Sequence, residues 1–212
     1  MIRRLAALAV LACVTPALAQ QPAAPPPAAA PQAAPKPAAP PKPAQAALPK
    51  GLDPQNTVFI ETKYGRIIIK LRPDLAPKHA ERIKQLAREK FYDNVPFHRV
   101  ISGFMAQTGD GQRGDGTGGS KYPDLPAEFS SVPYTRGVVG MARTSDPNSA
   151  NSQFFIMLAD NPGLNNKYTV VGEVASGMDV VDKIAKVATT TRSGHQNVPA
   201  ADVVITKATR KV

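Results

Sequence analysis

From Gln20 to Gly51 the chain is built almost wholly of Pro, Ala, Gln and Lys. This stretch holds no aromatic residue and little apolar surface, so it cannot offset the entropy of ordering. Whatever core the protein has must come from the residues that follow. Proline biases the stretch toward an extended polyproline form. At ~3.1 Å per residue, a tract of roughly thirty residues reaches on the order of 90 Å. A spacer holding a domain away from a surface and an unattached tail fit this composition equally well. Residues 20–55 are expected to form a disordered linker, and 56–210 a folded domain.

Before the linker, residues 1–19 read as a signal peptide. Arg3 and Arg4 supply a positive start, Leu5 to Val14 a short apolar run, and Ala17-Leu18-Ala19 a small-residue cleavage pattern. The run is too short for a stable membrane-spanning helix. Export with cleavage after Ala19 is the expectation, which places the mature protein in the periplasm if the cell is bacterial. Cys13 is the sole cysteine; cleavage removes it, leaving no thiol for a disulfide. Val10-Leu11-Ala12-Cys13 also loosely resembles a bacterial lipoprotein signal, and membrane contact is expected only if Cys13 is lipidated.

The formal charge of +10 overstates the basicity of the folded part. Arg3, Arg4, Lys36, Lys42 and Lys50 precede every acidic residue, and removing these five leaves +5. The remaining cations are scattered. Lys78, Arg82, Lys84, Arg88 and Lys90 alternate with Glu81 and Glu89, as on a solvated helix face. No basic patch with interleaved aromatics appears, so nucleic acid is not an expected partner.

After Gln55 the pattern turns to short β-rich runs. Thr57 to Thr62 and Arg66 to Leu71 flank Lys63-Tyr64-Gly65, a hairpin pattern with Gly65 at the turn. Pro77 opens a helix to about Glu89, with Ala80, Ile83, Leu86 and Ala87 on its inner face. Further strands are predicted at 97–101, 104–108, 138–142, 153–158, 169–174 and 203–208. A second helix fits Met178 to Val187, with Val180, Val181, Ile184 and Val187 facing inward. Many strands and two helices suggest a barrel, whose closure removes exposed edges. Periodicity alone leaves a sandwich open.

Several motifs are excluded by context. Gly109-Asp110-Gly111-Gln112-Arg113-Gly114 has the glycine spacing of a dinucleotide-binding turn, but Asp115-Gly116-Thr117-Gly118-Gly119 follows instead of a helix. His79, His98 and His195 are far apart and beside no carboxylate or thiol cluster, so no zinc site is expected. No Gly-x-Ser-x-Gly elbow is present for a serine hydrolase.

Two segments carry a specific signal. Residues 97–110 read Phe-His-Arg-Val-Ile-Ser-Gly-Phe-Met-Ala-Gln-Thr-Gly-Asp, and 151–156 read Asn-Ser-Gln-Phe-Phe-Ile. Together they resemble the cyclophilin family of peptidyl-prolyl cis-trans isomerases, and the resemblance extends over nearly all of residues 56–210. It implies a mainly β fold, a closed eight-stranded antiparallel β-barrel capped by two α-helices. It also implies an enzyme with no cofactor, acting on unfolded or partly folded proline-containing polypeptides.

Prolyl isomerisation breaks no covalent bond; its obstacle is amide resonance, a barrier of about 18–20 kcal/mol. A catalyst needs neither nucleophile nor metal. It must grip the proline ring and favour a twisted amide whose nitrogen can accept a hydrogen bond. The resemblance assigns the donor to Arg99, since a guanidinium stays charged and presents rigid donors. Gln107 is its catalytic companion, and Gln153 offers a second amide to the groove. Phe104, Met105, Phe155 and Leu164 match the proline pocket. Ala142 matches a wall of the groove, and Arg143 a backbone partner for the substrate chain. Phe154 and Phe155 alternate on a strand, so one faces the core; the family pattern makes Phe155 the pocket residue. His98 is read as a structural residue.

Two positions depart from the eukaryotic pattern. Gly163 falls where those proteins carry tryptophan, and Tyr168 where they carry histidine. Tyr168 still offers a ring with a polar tip as the pocket's edge. The segments Thr135 to Thr144 and Gly177 to Ile184 resemble the bacterial branch, which agrees with export and a role in folding exported proteins. A barrel of this size needs no partner, so a monomer is expected. The rival reading is a non-catalytic proline-peptide-binding or chaperone module that keeps the groove without turnover.

Overall fold

The computed structural model describes residues 51–210. The signal peptide, Cys13 and the linker as far as Lys50 lie outside the described residues. Ordered structure includes the short 3₁₀ turn Pro54–Asn56, capped by the Asp53 carboxylate accepting from the Gln55 N–H at 2.8 Å. That turn straddles the boundary expected between linker and domain.

The first hairpin pairs β1 (Thr57–Thr62) with β2 (Gly65–Leu71). Lys63 and Tyr64 make its two-residue loop. Gly65 pairs with Thr62 at φ +132°, and a Cβ there would meet the Val180 side chain at 2.9 Å. Glycine is needed for both the backbone angle and the close approach. The remaining strands are β3 (Val95–Pro96), β4 (Arg99–Ile101), β5 (Met105–Thr108), β6 (Val138–Met141), β7 (Phe154–Met157), β8 (Val170–Ser176), β9 (Thr189–Arg192), β10 (His195–Pro199) and β11 (Val204–Arg210).

Nine strands form one curled antiparallel sheet in the order β3-β11-β1-β2-β8-β6-β7-β5-β4. Its two edge strands, β3 and β4, are separated in sequence by Phe97 and His98 alone, so the sheet's ends converge through the chain itself. The Thr108 hydroxyl on β5 donates to the Pro96 carbonyl on β3 at 2.8 Å, bridging the seam. Counted as one bent strand, β3 and β4 give the eight expected from sequence. The strand predicted at 97–101 starts two residues later because Phe97 and His98 form the bend. β9 and β10 form a separate two-stranded hairpin that sequence reading did not anticipate.

Helix α1 (Pro77–Arg88) has proline in its first turn and no cap from its own N-cap residue, Ala76. A remote carboxylate does that work. Glu128 accepts from the backbone N–H groups of Lys78 and His79, each at 3.2 Å, and from His79 Nδ1 at 2.7 Å. An anion at a helix start also complements the helix dipole. Helix α2 (Met178–Ala185) buries Val180, Val181 and Ile184. It ends two residues before the predicted Val187, which still packs at the core's margin.

The strands separate two apolar clusters. Ile60, Ile67, Ala106, Phe154 and Ile156 join α1 and α2 in the main core. Met105, Phe155 and Met157, pointing the other way, join Tyr134, Val138 and Val170 in a smaller cluster on the outer face. This is the strand period of two at work. It places Phe154 inside, and Phe155 with Phe104, Leu164 and Tyr168 outside.

From Gly109 to Gly137 the chain carries almost no sheet, and buried polar groups hold it instead. Asp110, 1% exposed, accepts from the N–H groups of Gln112, Arg113, Gly116 and Gly118 at 2.9–3.2 Å. Arg82 of α1 donates to the Pro123 carbonyl at 2.9 Å and lies over the Tyr122 ring.

Candidate active site

Four strands build the site in one register row. Arg99 on β4 lies opposite Gln107 on β5, Gln107 opposite Phe155 on β7, and Phe155 opposite Gly140 on β6. Directly paired residues share a face, so this row projects to one side of the sheet. Glycine at 140 makes room for the row: a Cβ there would lie 2.5 Å from Phe155 Cζ and 2.6 Å from the Tyr134 hydroxyl. Phe155 stacks against Tyr134 at 5.8 Å between centroids and meets Tyr168 edge-on at 5.7 Å.

The row opens onto a groove of about 450 Å³ lined by Arg99, Phe104, Met105, Gln107, Ala142, Arg143, Phe155, Leu164 and Tyr168. Nine of the ten predicted site residues meet here. The tenth, Gln153, lines an adjoining compartment that shares Gln107, Gly116, Ala142 and Arg143 with the first.

A hydrogen-bonded chain runs along the groove. Arg99 Nη1 donates to Gln107 Oε1 at 3.5 Å, Gln107 Nε2 to Gln153 Oε1 at 2.9 Å, and Gln153 Nε2 to the carbonyls of Gly116 and Gly118 at 2.9 and 2.8 Å. The Gly-rich loop at the end of this chain is the one gathered by Asp110. Burial pushes the Asp110 carboxyl up, but the backbone N–H groups of Arg113, Gly118, Gly116 and Gly114 outweigh it and hold it below the ordinary carboxylate range. Asp110 therefore stays an anion, fixing the loop that fixes Gln153. Arg99 is exposed, lines the groove and makes only a long contact with Gln107.

Arg143 spends its side chain on the opposite bank. Its Nε and Nη2 donate to the Lys167 carbonyl at 3.1 and 2.9 Å, and its guanidinium lies 4.6 Å from the Tyr168 ring centroid. That side chain steadies the Leu164–Tyr168 wall. Gly163 lies in the 3₁₀ turn Pro162–Leu164, is exposed, and does not line the groove.

Sequence reading missed six lining residues: His98, Asp115, Gly194, His195, Gln196 and Asn197; Gly116 belongs to the Gly-rich loop that the family resemblance puts at the groove's border. His98 is 4% exposed and forms part of the floor, where burial pushes its pKa down against the pull of Asp110 and Asp115. The hairpin could have been suspected from the Ser193-Gly194 dipeptide between two short polar runs. Among the described residues no group of three or more His, Cys, Asp or Glu side chains could hold a metal ion.

Residues 57–210 match the model of the cyclophilin type peptidyl-prolyl cis-trans isomerases. The chain belongs to this family. A probable peptidyl-prolyl cis-trans isomerase of Brucella suis is 62% identical over 144 residues, covering 63% of this chain and 74% of the relative. Peptidyl-prolyl cis-trans isomerase B of Escherichia coli is 42% identical over 160 residues, covering 72% and 98%. Among solved structures, a Cryptosporidium parvum cyclophilin crystallised in the presence of the dipeptide Ala-Pro superposes with a TM-score of 0.68. Its identity is 28%, over 74% of this chain and 99% of that one. A cyclophilin of Hirschia baltica gives 0.64 at 29% identity, over 75% of each chain. The chain is accordingly a peptidyl-prolyl cis-trans isomerase of cyclophilin type.

Proposed function

We propose that this isomerase acts on proline-containing polypeptides of the periplasm, using Arg99 as the donor that stabilises the twisted prolyl amide. The observation that carries the reading is the position of Arg99. It is an exposed cation in register with Gln107 and beside the apolar slot of Phe104, Met105, Phe155 and Leu164. A proline ring seated in that slot brings its nitrogen within reach of the guanidinium. Planar amide nitrogen is a poor acceptor, because its lone pair is delocalised into the carbonyl. Rotation localises the lone pair, so a hydrogen bond from Arg99 forms mainly at the top of the barrier and lowers it. Gln107 limits the guanidinium's sweep, and Gln153 holds Gln107 against the Gly-rich loop. Ala142 and the backbone of Arg143 flank the chain that leaves the slot.

The charged start, apolar run and Ala17-Leu18-Ala19 pattern support export, with the linker beginning at Gln20 after cleavage. Slow prolyl rotation delays the folding of exported chains by tens to hundreds of seconds, and relieving that delay is the cellular role we infer. Turnover of an Ala-Pro peptide in a protease-coupled assay tests the catalytic part. Arg99→Ala is expected to lose most of kcat/KM with unchanged circular dichroism; a wild type that binds the peptide without turnover would make the protein a binding module. Intact mass of the exported protein tests the targeting part, and a diacylglycerol-bearing Cys13 would refute cleavage after Ala19.

A further inference from the structure

The β9–β10 hairpin stands apart from the barrel's own sheet, yet its tip lines the substrate groove. Its turn is the two-residue Ser193-Gly194, with φ +50° and +81°, the left-handed pair that a type I′ hairpin needs. Immediately after it the ladder slips: His195 pairs with Arg192 but Val198 pairs with Thr190, so Gln196 and Asn197 together oppose Thr191. Asn197 takes φ +61° in this bulge. A regular strand would present every second residue to the groove. Turn and bulge break that alternation, and four consecutive residues, Gly194 to Asn197, reach it. Bulges beside active sites commonly re-aim side chains in this way.

The chemistry of this wall is specific. It adds two primary amides and no apolar slot. His195 brings an imidazole, and across the groove the carboxylate of Asp115, fixed by the Thr117 N–H and hydroxyl at 2.8 and 2.7 Å, feels its field. The hairpin's own lining residues, Gly194 to Asn197, include no carboxylate, ammonium or guanidinium to select a charged substrate side chain. Primary amides carry both donors and acceptors, the complement of a peptide group. The hairpin's β10 packs beside β4, the strand that carries Arg99, and none of its residues lines the compartment of Thr144, Asn151 and Gln153.

Resting on the isomerase reading of the groove, we infer that Gln196 and Asn197 bind the main chain of the substrate segment that leaves the proline slot on the Arg99 side. The hairpin thereby favours extended polypeptides over short peptides without selecting side chains. The test uses an Ala-Pro tetrapeptide and two ten-residue peptides, one extended before the proline and one after it. In the doubly substituted protein, Gln196→Ala with Asn197→Gly, KM for one of the two long peptides should rise about fivefold or more, as for losing one or two neutral hydrogen bonds. Its kcat should hold, and the other long peptide and the tetrapeptide should move far less. Equal shifts for all three peptides, or none, would overturn the inference. Titration of the wild type reads the same contact without mutation: side-chain amide NMR signals of Gln196 and Asn197 should move with that long peptide only. Silence of those signals would also overturn it. A wild type that leaves the tetrapeptide unisomerised would strike at the isomerase reading instead, and the amide signals would still decide the hairpin's role.

Discussion

Replacing Gly140 by alanine should damage the proline slot from behind. The added Cβ would lie 2.5 Å from Phe155 Cζ and 2.6 Å from the Tyr134 hydroxyl, both rigid, buried groups. Carbon atoms settle at about 3.5–4.0 Å, so the Phe155 ring must retreat by about an ångström. Tyr134 stacks on one side of that ring and Tyr168 meets another, so the retreat leads toward the groove. Overpacking of this kind costs about 1–3 kcal/mol, which at about 2–4 °C per kcal/mol lowers Tm by roughly 2–12 °C. A displacement of about an ångström in a positioning group costs up to roughly a hundredfold in rate, so kcat/KM on an Ala-Pro peptide should fall about ten- to a hundredfold. Calorimetry and the protease-coupled assay measure the two effects, with exposed Gly163→Ala as the control expected to show neither. An unchanged Tm would refute the packing argument. A lowered Tm with full kcat/KM would show that Phe155 does not shape the slot.

Three further outcomes are expected. Asp110→Asn replaces an acceptor of the Gly116 and Gly118 N–H groups by an amide that can turn an NH₂ toward them; amide exchange over 112–118 should quicken and KM should rise, and unchanged exchange would contradict the anchoring role. Burial lowers the pKa of His79, against the raising pull of Glu128, and likewise that of His98. Their folded values lie below the unfolded value of about 6.5, so stability is full above it and falls on acidification by up to about 1.4 kcal/mol per pH unit for each group. Urea midpoints that stay level from pH 7.5 to 5 would contradict this. Cyclosporin should bind weakly, because Gly163 supplies neither the wall nor the indole N–H of the eukaryotic tryptophan; those losses, about 1 kcal/mol for the bond and 1–3 for the contact, make roughly ten- to a thousandfold. Tight binding by the wild type, or no gain by a folded Gly163→Trp, would refute it.

The barrel strands were legible because β-branched and aromatic runs alternate between two buried faces, as in Ile67 to Ile69 and Phe154 to Met157. The Arg99–Gln107–Phe155 row was legible from the family's motif, and pairing shows why that spacing works. Thr189 to Arg192 escaped notice because all four residues are exposed and carry no apolar signal. The bend at Phe97-His98 was hidden for the opposite reason: both residues are buried, so the run reads as one continuous strand. Long-range polar anchors were invisible too. Nothing local to Pro77 says that Glu128 caps its helix, and Asp110 sits in a motif that looks like a nucleotide loop.

The central claim is that Arg99 acts on the rotating amide and not on binding. Exchange of a bound Ala-Pro peptide, measured by NMR at saturating protein, separates the two. A charge-assisted hydrogen bond is worth about 1.5–3 kcal/mol, so in Arg99→Ala the bound cis-trans exchange should slow roughly ten- to 150-fold while Kd stays within about twofold. Undiminished exchange in the bound state, with only Kd raised, would make Arg99 a binding residue and contradict the account.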